Sequence, residues 1–350
     1  STDLMFQVRV LEINQTPRID IKNENGCNID LWTRDNEVLR ITPRQNEEVH
    51  DYWMPDEGRE AYKQFNENRV DRPFIKLDGN NQSNISWNNA IETFAEVLEA
   101  NDPNDIAVIG SPHASVEENY AFNRFFNLLG VNNAKFTSHV IPGAGDGFLI
   151  TDDQAPNTNG CRLINLNEAD DTSLKSDVAD ANVVIILSDD LIGRDVLSVS
   201  DLDNSYTISL ATNHSDTTKA SDLVIPITCV AEHAASYVNV DGRIQRSYPA
   251  KETKYTNRRL NLEMSEGRLD RFGTNFDNWV SEENKVDCLP VWDFLNKLGD
   301  RMGLDFNYDH SREIFGDLRN SIEELSDITY ERMDEENGVQ LPIKQKEVKA

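Results

Sequence analysis

Four strand-sized apolar runs set the strongest limit on how this 350-residue chain can fold. They are Ile106-Ala107-Val108-Ile109-Gly110-Ser111, Ala181-Asn182-Val183-Val184-Ile185-Ile186-Leu187-Ser188-Asp189, Tyr206-Thr207-Ile208-Ser209-Leu210 and Leu223-Val224-Ile225-Pro226. Each is too short for a helix of ordinary length, and the apolar character is nearly continuous. Strands covered on both faces read this way, whereas a half-exposed strand alternates. The intervals leave room for crossover connections, so the pattern predicts a parallel, doubly wound, Rossmann-like sheet with any nucleotide-like ligand at its strand ends.

Helices are marked by their start and stop signals. Trp87, Ala90, Ile91, Phe94, Ala95 and Leu98 recur at helical spacing, and Pro103 closes the pattern. Ser115 with Glu118 makes a capping box. The helix after it carries Phe122, Phe125, Phe126 and Leu129 on one face and stops at Gly130. Pro290 opens a further helix with Val291, Phe294, Leu295, Leu298 and Met302 on one side, ending before Gly303. Thr253 to Asn284 is polar and poorly periodic and reads as a surface excursion or partner-wrapping arm. The acidic end after Ile322 is expected to add one helix and fray from Asn337.

The first seventy residues read differently. Two short alternating segments, Leu31 to Arg34 and Glu37 to Ile41, flank a polar Asp35-Asn36 turn and predict a hairpin. Asn239-Val240-Asp241-Gly242-Arg243 reads as a strand running into an Asp-Gly turn. Pro142-Gly143-Ala144-Gly145-Asp146-Gly147 is glycine-rich, but Phe148-Leu149-Ile150 after it reads as extended chain where a phosphate cradle needs a helix N-terminus. A flexible loop is the expectation there.

Charge excludes some partners. Asp and Glu outnumber Lys and Arg by 62 to 34, a formal net charge of -28 that runs along the whole chain. Such a surface repels nucleic-acid phosphates and anionic head groups, and it suits high salt, where self-repulsion is screened; a halophilic source is expected. The four cysteines have neither zinc nor disulfide-framework spacing, and the six histidines are scattered. With no apolar run long enough to span a bilayer and no signal segment at Ser1, direct membrane insertion is not expected and the location reads as cytoplasmic. No nucleophile elbow, P-loop or dinucleotide fingerprint supports hydrolysis or nucleotide turnover.

Several runs taken in order resemble the molybdopterin oxidoreductase family, in particular the large G subunit of respiratory complex I. Gly26-Cys27-Asn28-Ile29, the hairpin and Trp53-Met54-Pro55-Asp56-Glu57-Gly58-Arg59 are similar to its N-terminal four-cysteine [4Fe–4S] domain. Only Cys27 matches a ligand position, and Pro55 stands where the last cysteine would be; Cys161, Cys229 and Cys288 are read as lying in unrelated contexts. A cubane cluster takes about four thiolates, so the resemblance implies a degenerate domain with Cys27 as the remnant of a lost site. Arg72-Pro73 and Ser86-Trp87 are similar to the family's lead into its α/β domain, and Asp152-Asp153-Gln154-Ala155-Pro156-Asn157-Thr158-Asn159-Gly160 to a segment common in bacterial members of that branch. Ala220 to Pro226 followed by Ala231 to Gln245 is the most specific match, with Ala235-Ser236 where members commonly have glycine-threonine. The resemblance covers roughly Ile19 to Gly303.

The implied fold is α/β, with a small N-terminal β domain followed by doubly wound lobes of the molybdopterin oxidoreductase type. Boundaries fall at 1–72 for the degenerate cluster domain, 73–165 with 218–310 for the main α/β domain, 166–217 for a second α/β unit and 311–350 for an acidic tail. The resemblance implies a cofactor-free structural subunit of a complex I-like NADH:quinone oxidoreductase, scaffolding the peripheral arm beside iron–sulfur and flavin subunits and reaching the membrane only through that complex. No cofactor, metal or catalytic residue is expected. The alternative is a molybdopterin or tungstopterin oxidoreductase chain completed by another polypeptide, since neither the ferredoxin-like region of the complex I protein nor the enzymes' C-terminal β-barrel domain has a counterpart here. A vestigial pocket would draw on Gly110, Ser111, Glu118, Asn119, Glu232 and Asn239. For Glu117-Glu118, capping and the helix dipole are the favoured reading, and for Glu232 and Asn239, satisfaction of loop backbone groups.

Overall fold

The N-terminal hairpin forms as its turn residues require. In the computed structural model, which describes residues 13–77, 81–256 and 284–342, strands β1 (Asn14–Ile19), β2 (Asn28–Arg34) and β3 (Glu37–Pro43) make an antiparallel sheet. Asp35 and Asn36 take φ of 51° and 62°, the left-handed pair that a two-residue hairpin turn with matching twist demands. Helices α1 (Asp56–Glu60) and α2 (Tyr62–Asn66) cover this sheet, and Leu31, Val38, Ile41, Met54 and Phe65 form a small core shared with Cys229 and Ala231.

The chain then enters a larger α/β layer. β4 (Phe74–Lys76) and β5 (Gln82–Asn84) lead into α3 (Trp87–Glu99), β6 (Ile106–Ile109), α4 (Val116–Leu128) and β7 (Lys135–Phe136). There follow α5 (Thr158–Leu163), β8 (Asn167–Glu168), α6 (Asp171–Asp180), β9 (Val183–Leu187), β10 (Tyr206–Ala211), α7 (Asp216–Ala220) and β11 (Leu223–Pro226). Among the described residues the sheet has the order β5-β4-β11-β10-β9-β6-β7-β8. β6 to β11 run parallel, while β4 and β5 pair antiparallel at one edge. The four apolar runs are β6, β9, β10 and β11, adjacent at the centre of one sheet, and β9 is wholly buried along its length. Position in the sheet accounts for their unbroken apolar character.

A hairpin of β12 (Ala235–Val238) and β13 (Arg243–Ser247) follows. Its strand stops at Val238, earlier than the sequence reading has it, and Asn239 to Gly242 is the turn, with Gly242 at φ +79° where a side chain would be strained. Most of the polar stretch from Thr253 to Asn284, read as an arm, lies outside the described residues. After it, α8 (Val291–Met302) packs against α3 and α4. Phe94, Phe122, Phe125, Phe126 and Phe294 are fully buried here, with Phe122 and Phe126 edge to face at 4.9 Å. Each such ring contributes roughly 1.5–3 kcal/mol by leaving water.

Two expectations need correction. Phe148 to Ile150 is not a strand: the backbone N–H groups of Phe148, Leu149 and Ile150 all donate to Asp146 Oδ1 at 2.8 Å, which curls the segment into a bend. Nor does the described chain fray at Asn337. α9 (Ser311–Ser321) precedes Ile322, α10 (Tyr330–Glu335) is the one helix expected beyond it, and past Asn337 the chain forms β14 (Val339–Gln340), which pairs with β13. Ile314, Phe315, Leu318, Tyr330, Met333 and Leu341 join the main core. The anchor is Glu117 on α4, fully buried, which accepts from Ser236 N at 2.9 Å, Ser236 Oγ at 2.8 Å and Tyr330 Oη at 2.8 Å. Tyr330→Phe leaves that carboxyl one donor short and is predicted to cost about 1–2 kcal/mol in urea unfolding; equal stability of variant and native protein would mean that this contact does not anchor the tail.

Candidate functional site

Strand order locates the site. After β6 the chain moves outward through β7 and β8, then returns to place β9 on the other side of β6. The connections leaving β6 and β9 therefore diverge, which opens a crevice beyond their carboxyl ends. A cleft of about 950 Å³ lies there. Its wall includes His113 from the turn after β6, Ser138 and His139 after β7, Ser188, Asp189 and Arg194 after β9, and Lys22, Glu57 and Lys63 from the N-terminal domain.

Four side chains on this wall form one connected group. His113 Nε2 is 3.0 Å from His139 Nδ1, and His139 Nε2 is 3.2 Å from Asp189 Oδ2. Arg194 donates to both oxygens of Asp189 at 2.9 and 2.8 Å and to the Ser138 carbonyl at 3.2 Å, and it also touches His139. Burial would push the Asp189 carboxyl up, but His139 and Arg194 outweigh it and hold the group down at about 2. His113 moves the other way: burial first, then the neighbouring His139, puts it well below the usual imidazole range. At neutral pH the cleft thus presents a neutral imidazole backed by an ionised, fully committed carboxylate. Such a group can accept or donate a hydrogen bond.

The six residues expected from sequence occupy a shell behind this wall, and none of them is among the described residues that line the cleft. A Cβ at Gly110 would come within 2.8 Å of Asn119 Oδ1 and 3.0 Å of Leu166, so the close approach of the Asn119 amide needs glycine there. Asn119 accepts from Ser111 N at 3.1 Å and donates to the carbonyls of Ser111, Ala114 and Ser115 at 2.8–3.1 Å. Ser111 Oγ donates to Ser188 O at 3.0 Å and ties the turn after β6 to the one after β9. Glu118 closes the capping box on Ser115 and lies 3.2 Å from His233 Nε2. Burial pulls its carboxyl upward, and His233 and Ser115 bring it below the ordinary range. Asn239 accepts from Asp241 N and Arg243 N and donates to Asn25 O, which shapes the hairpin turn.

Glu232 makes a bidentate pair with Arg69 at 2.8 and 2.7 Å, both side chains nearly inaccessible. The sequence reading sets Cys229 and Cys288 in unrelated contexts, but folding brings both to this pair: Cys229 Sγ is 3.2 Å from Arg69 Nη1 and Cys288 Sγ is 3.6 Å from Glu232 Oε2. Burial pushes the Cys229 thiol up to about 11, so it stays protonated at neutral pH. His113, His139 and Arg194 escape the sequence reading because none has a partner at a telling spacing. Asp189 and His113 do stand just past two apolar runs, and that placement is the signal that could have found them.

Asp189→Asn removes the shared partner of Arg194 and His139 and is predicted to cost about 2–3 kcal/mol at pH 7. Because the folded-state value lies below the unfolded one, the Asp189 contribution is complete above about pH 4 and disappears as pH falls through about 2. Urea midpoints of variant and native protein should therefore differ by a constant amount from pH 8 to 5 and converge in acid. A gap that persists at pH 2 would show that charge at Asp189 is not what stabilises the wall.

Comparison with known proteins gives independent information. Residues 13–63 match the model for the NADH-ubiquinone oxidoreductase NDSU1/NuoG-like, 4Fe-4S domain, and residues 69–192 match that for molybdopterin oxidoreductase. The G subunit of the Rickettsia conorii NADH-quinone oxidoreductase is 34% identical over 128 residues, 37% of this chain and 19% of the relative. NADH dehydrogenase (ubiquinone) iron-sulfur protein 1, mitochondrial, of Solanum tuberosum is 31% identical over 134 residues, 38% of this chain and 18% of the relative. The matched stretch thus spans about a fifth of these curated relatives. Among solved structures, acetylene hydratase from Pelobacter acetylenicus aligns with a TM-score of 0.59 over 93% of this chain and 74% of that one, at 10% identity, which shows the fold alone. The chain thus carries, in order, a domain of the NDSU1/NuoG-like type and a molybdopterin oxidoreductase domain, the two parts that its sequence resembles.

Proposed function

We propose that this chain is the molybdopterin-oxidoreductase-like part of the G subunit of a complex I-like NADH:quinone oxidoreductase, that it holds no cofactor, and that it braces the peripheral electron-transfer arm. The observation that carries the reading is the state of Cys27. Residues 13–63 contain this one cysteine, where a cubane cluster takes about four thiolates. Cys27 is buried, and burial together with the neighbouring Asp20 carboxyl pushes its thiol up to about 12. Pro55, at the position of the last cysteine in the resembling domain, stands at the N-cap of α1 instead. These donors do not fit an iron–sulfur cluster.

The cleft does not fit a pterin dinucleotide either. Such a group carries phosphates, and the lining sets Glu57, Glu67, Asp171, Asp189 and Asp190 against Lys22, Lys63 and Arg194, of which Arg194 is already bound to Asp189. On this reading the neighbours are iron–sulfur and flavin subunits, and the chain sits at the cytoplasmic face of a membrane through the complex. Among the described residues no helix is long and apolar enough to cross a bilayer. The acidic excess, 62 against 34, supports a protein adapted to concentrated salt.

Metal and pterin analysis of the isolated chain, together with the identity of co-purifying proteins, tests this directly. Iron, molybdenum, tungsten and pterin all near zero in the chain purified alone, and iron–sulfur and flavin subunits retained when the tagged chain is isolated with its assembly, are expected. About one equivalent of molybdenum or tungsten with pterin would overturn the proposal in favour of a catalytic chain.

A further inference from the structure

Tyr52 and Trp53 belong neither to the core nor to the cleft. They stand next to each other in the segment between β3 and α1, 59% and 58% exposed, while His50 before them and Met54 and Pro55 after them are buried. One apolar side chain in water is ordinary. A tyrosine beside a tryptophan is a larger apolar surface, of the residue types that carry most of the binding energy where proteins meet.

The turn that carries them is fixed in advance. Asn46 O accepts from the backbone N–H groups of Val49, His50 and Asp51 at 2.8–3.2 Å, Asn46 N donates to Asp51 O at 2.9 Å, and Asp51 takes a φ of 55° to close the ring. His50 Nε2 accepts from Asn28 N at 2.7 Å, so the proton sits on Nδ1, which donates to Trp53 O. On the other side Met54 is anchored in the small core of the N-terminal domain. The two rings are thus held out by a backbone pinned at both ends, and a surface ordered beforehand loses less entropy when it binds.

Charge indicates the partner. From Asn46 to Glu60 six residues are acidic, Glu47, Glu48, Asp51, Asp56, Glu57 and Glu60, against Arg59 as the one Lys or Arg, and all six acids are exposed. Glu48 has Arg243 at 3.3 Å and Asp56 has Arg59 at 3.5 Å; among the described residues the other four form no ion pair. The rings are open to cations as well. Arg40 lies 4.2 Å from the Trp32 centroid and Arg246 4.6 Å from that of Tyr248, but among the described residues no guanidinium covers Tyr52 or Trp53. We propose that Tyr52 and Trp53 are the centre of a docking site for a basic protein surface, which seats arginine or lysine side chains on the two rings and beside the flanking carboxylates. The site gives the scaffold reading one of its contact surfaces and rests on that reading for the partner, a neighbouring subunit. A second copy of this chain fits poorly, because it would bring the same carboxylates face to face. Concentrated salt does not abolish such a contact: at 1 M the Debye length is about 3 Å, so charges in contact still attract while long-range repulsion is screened.

The test uses the intact chain, tagged and assembled in its own cells, with the photo-cross-linker p-benzoylphenylalanine in place of Tyr52 and irradiation before lysis. The expected cross-link joins position 52 to one subunit, in a segment where Lys and Arg outnumber Asp and Glu. Trp53→Ala is expected to retain at least tenfold less of that subunit than the native chain while its urea midpoint is unchanged, since the ring is exposed, and Glu47→Lys with Glu60→Lys to retain several-fold less. Should Trp53→Ala fail to fold, the charge reversal carries the test. Iron–sulfur and flavin subunits retained on the native chain, but with cross-links only within the chain, to a second copy or to an acidic segment, would overturn the docking site and leave the scaffold reading standing; so would undiminished retention in the variant that folds. A native chain that holds no iron–sulfur or flavin subunit and gives no cross-link would overturn both.

Discussion

Three consecutive buried polar side chains at the start of α4 hold the molecule together. Glu117, Glu118 and Asn119 lie at 0–3 % exposure, where an unpartnered polar group costs several kcal/mol. Each spends its capacity on a different part of the chain. Glu117 gathers the β12–β13 hairpin and the C-terminal helices, Glu118 closes the helix cap and faces His233, and Asn119 clasps the turn that follows β6. The cleft, the hairpin and the tail are positioned from one helical turn.

This arrangement explains why the residues that resemble a cofactor pocket sit behind the cleft. Their side chains are consumed by the protein's own backbone, and Glu232 is consumed by Arg69. What remains on the cleft wall is a neutral imidazole, a committed ion pair and an excess of carboxylates. A wall of that kind can be rigid and water-filled, which suits a brace, and it offers little to a polyphosphate ligand.

Much of the fold is legible in the residues alone. β6, β9, β10 and β11 announce themselves because burial on both faces leaves no polar alternation, and the Ser115–Glu118 cap because its partners are three residues apart. The tail misleads for the opposite reason. Tyr330 meets Glu117 across 213 residues, and β14 joins β13 with Val339 opposite Ile244, so local composition shows only acid and polar chain. Phe148 to Ile150 looks extended in sequence because a single Asp146 side chain, not hydrophobic period, sets its shape. Of the cleft, the strand ends are foreseeable; the pairing of His113 with His139 depends on which strands become neighbours.

The central claim is that the chain supports an electron-transfer assembly without chemistry of its own. His113→Ala with Lys63→Ala strips the cleft wall of two groups that a substrate or cofactor would meet, while leaving the Asp189–Arg194 pair in place. NADH:quinone turnover, measured per assembled complex, should be unchanged. A fall of tenfold or more with the complex intact would contradict the account and place reacting groups in the cleft.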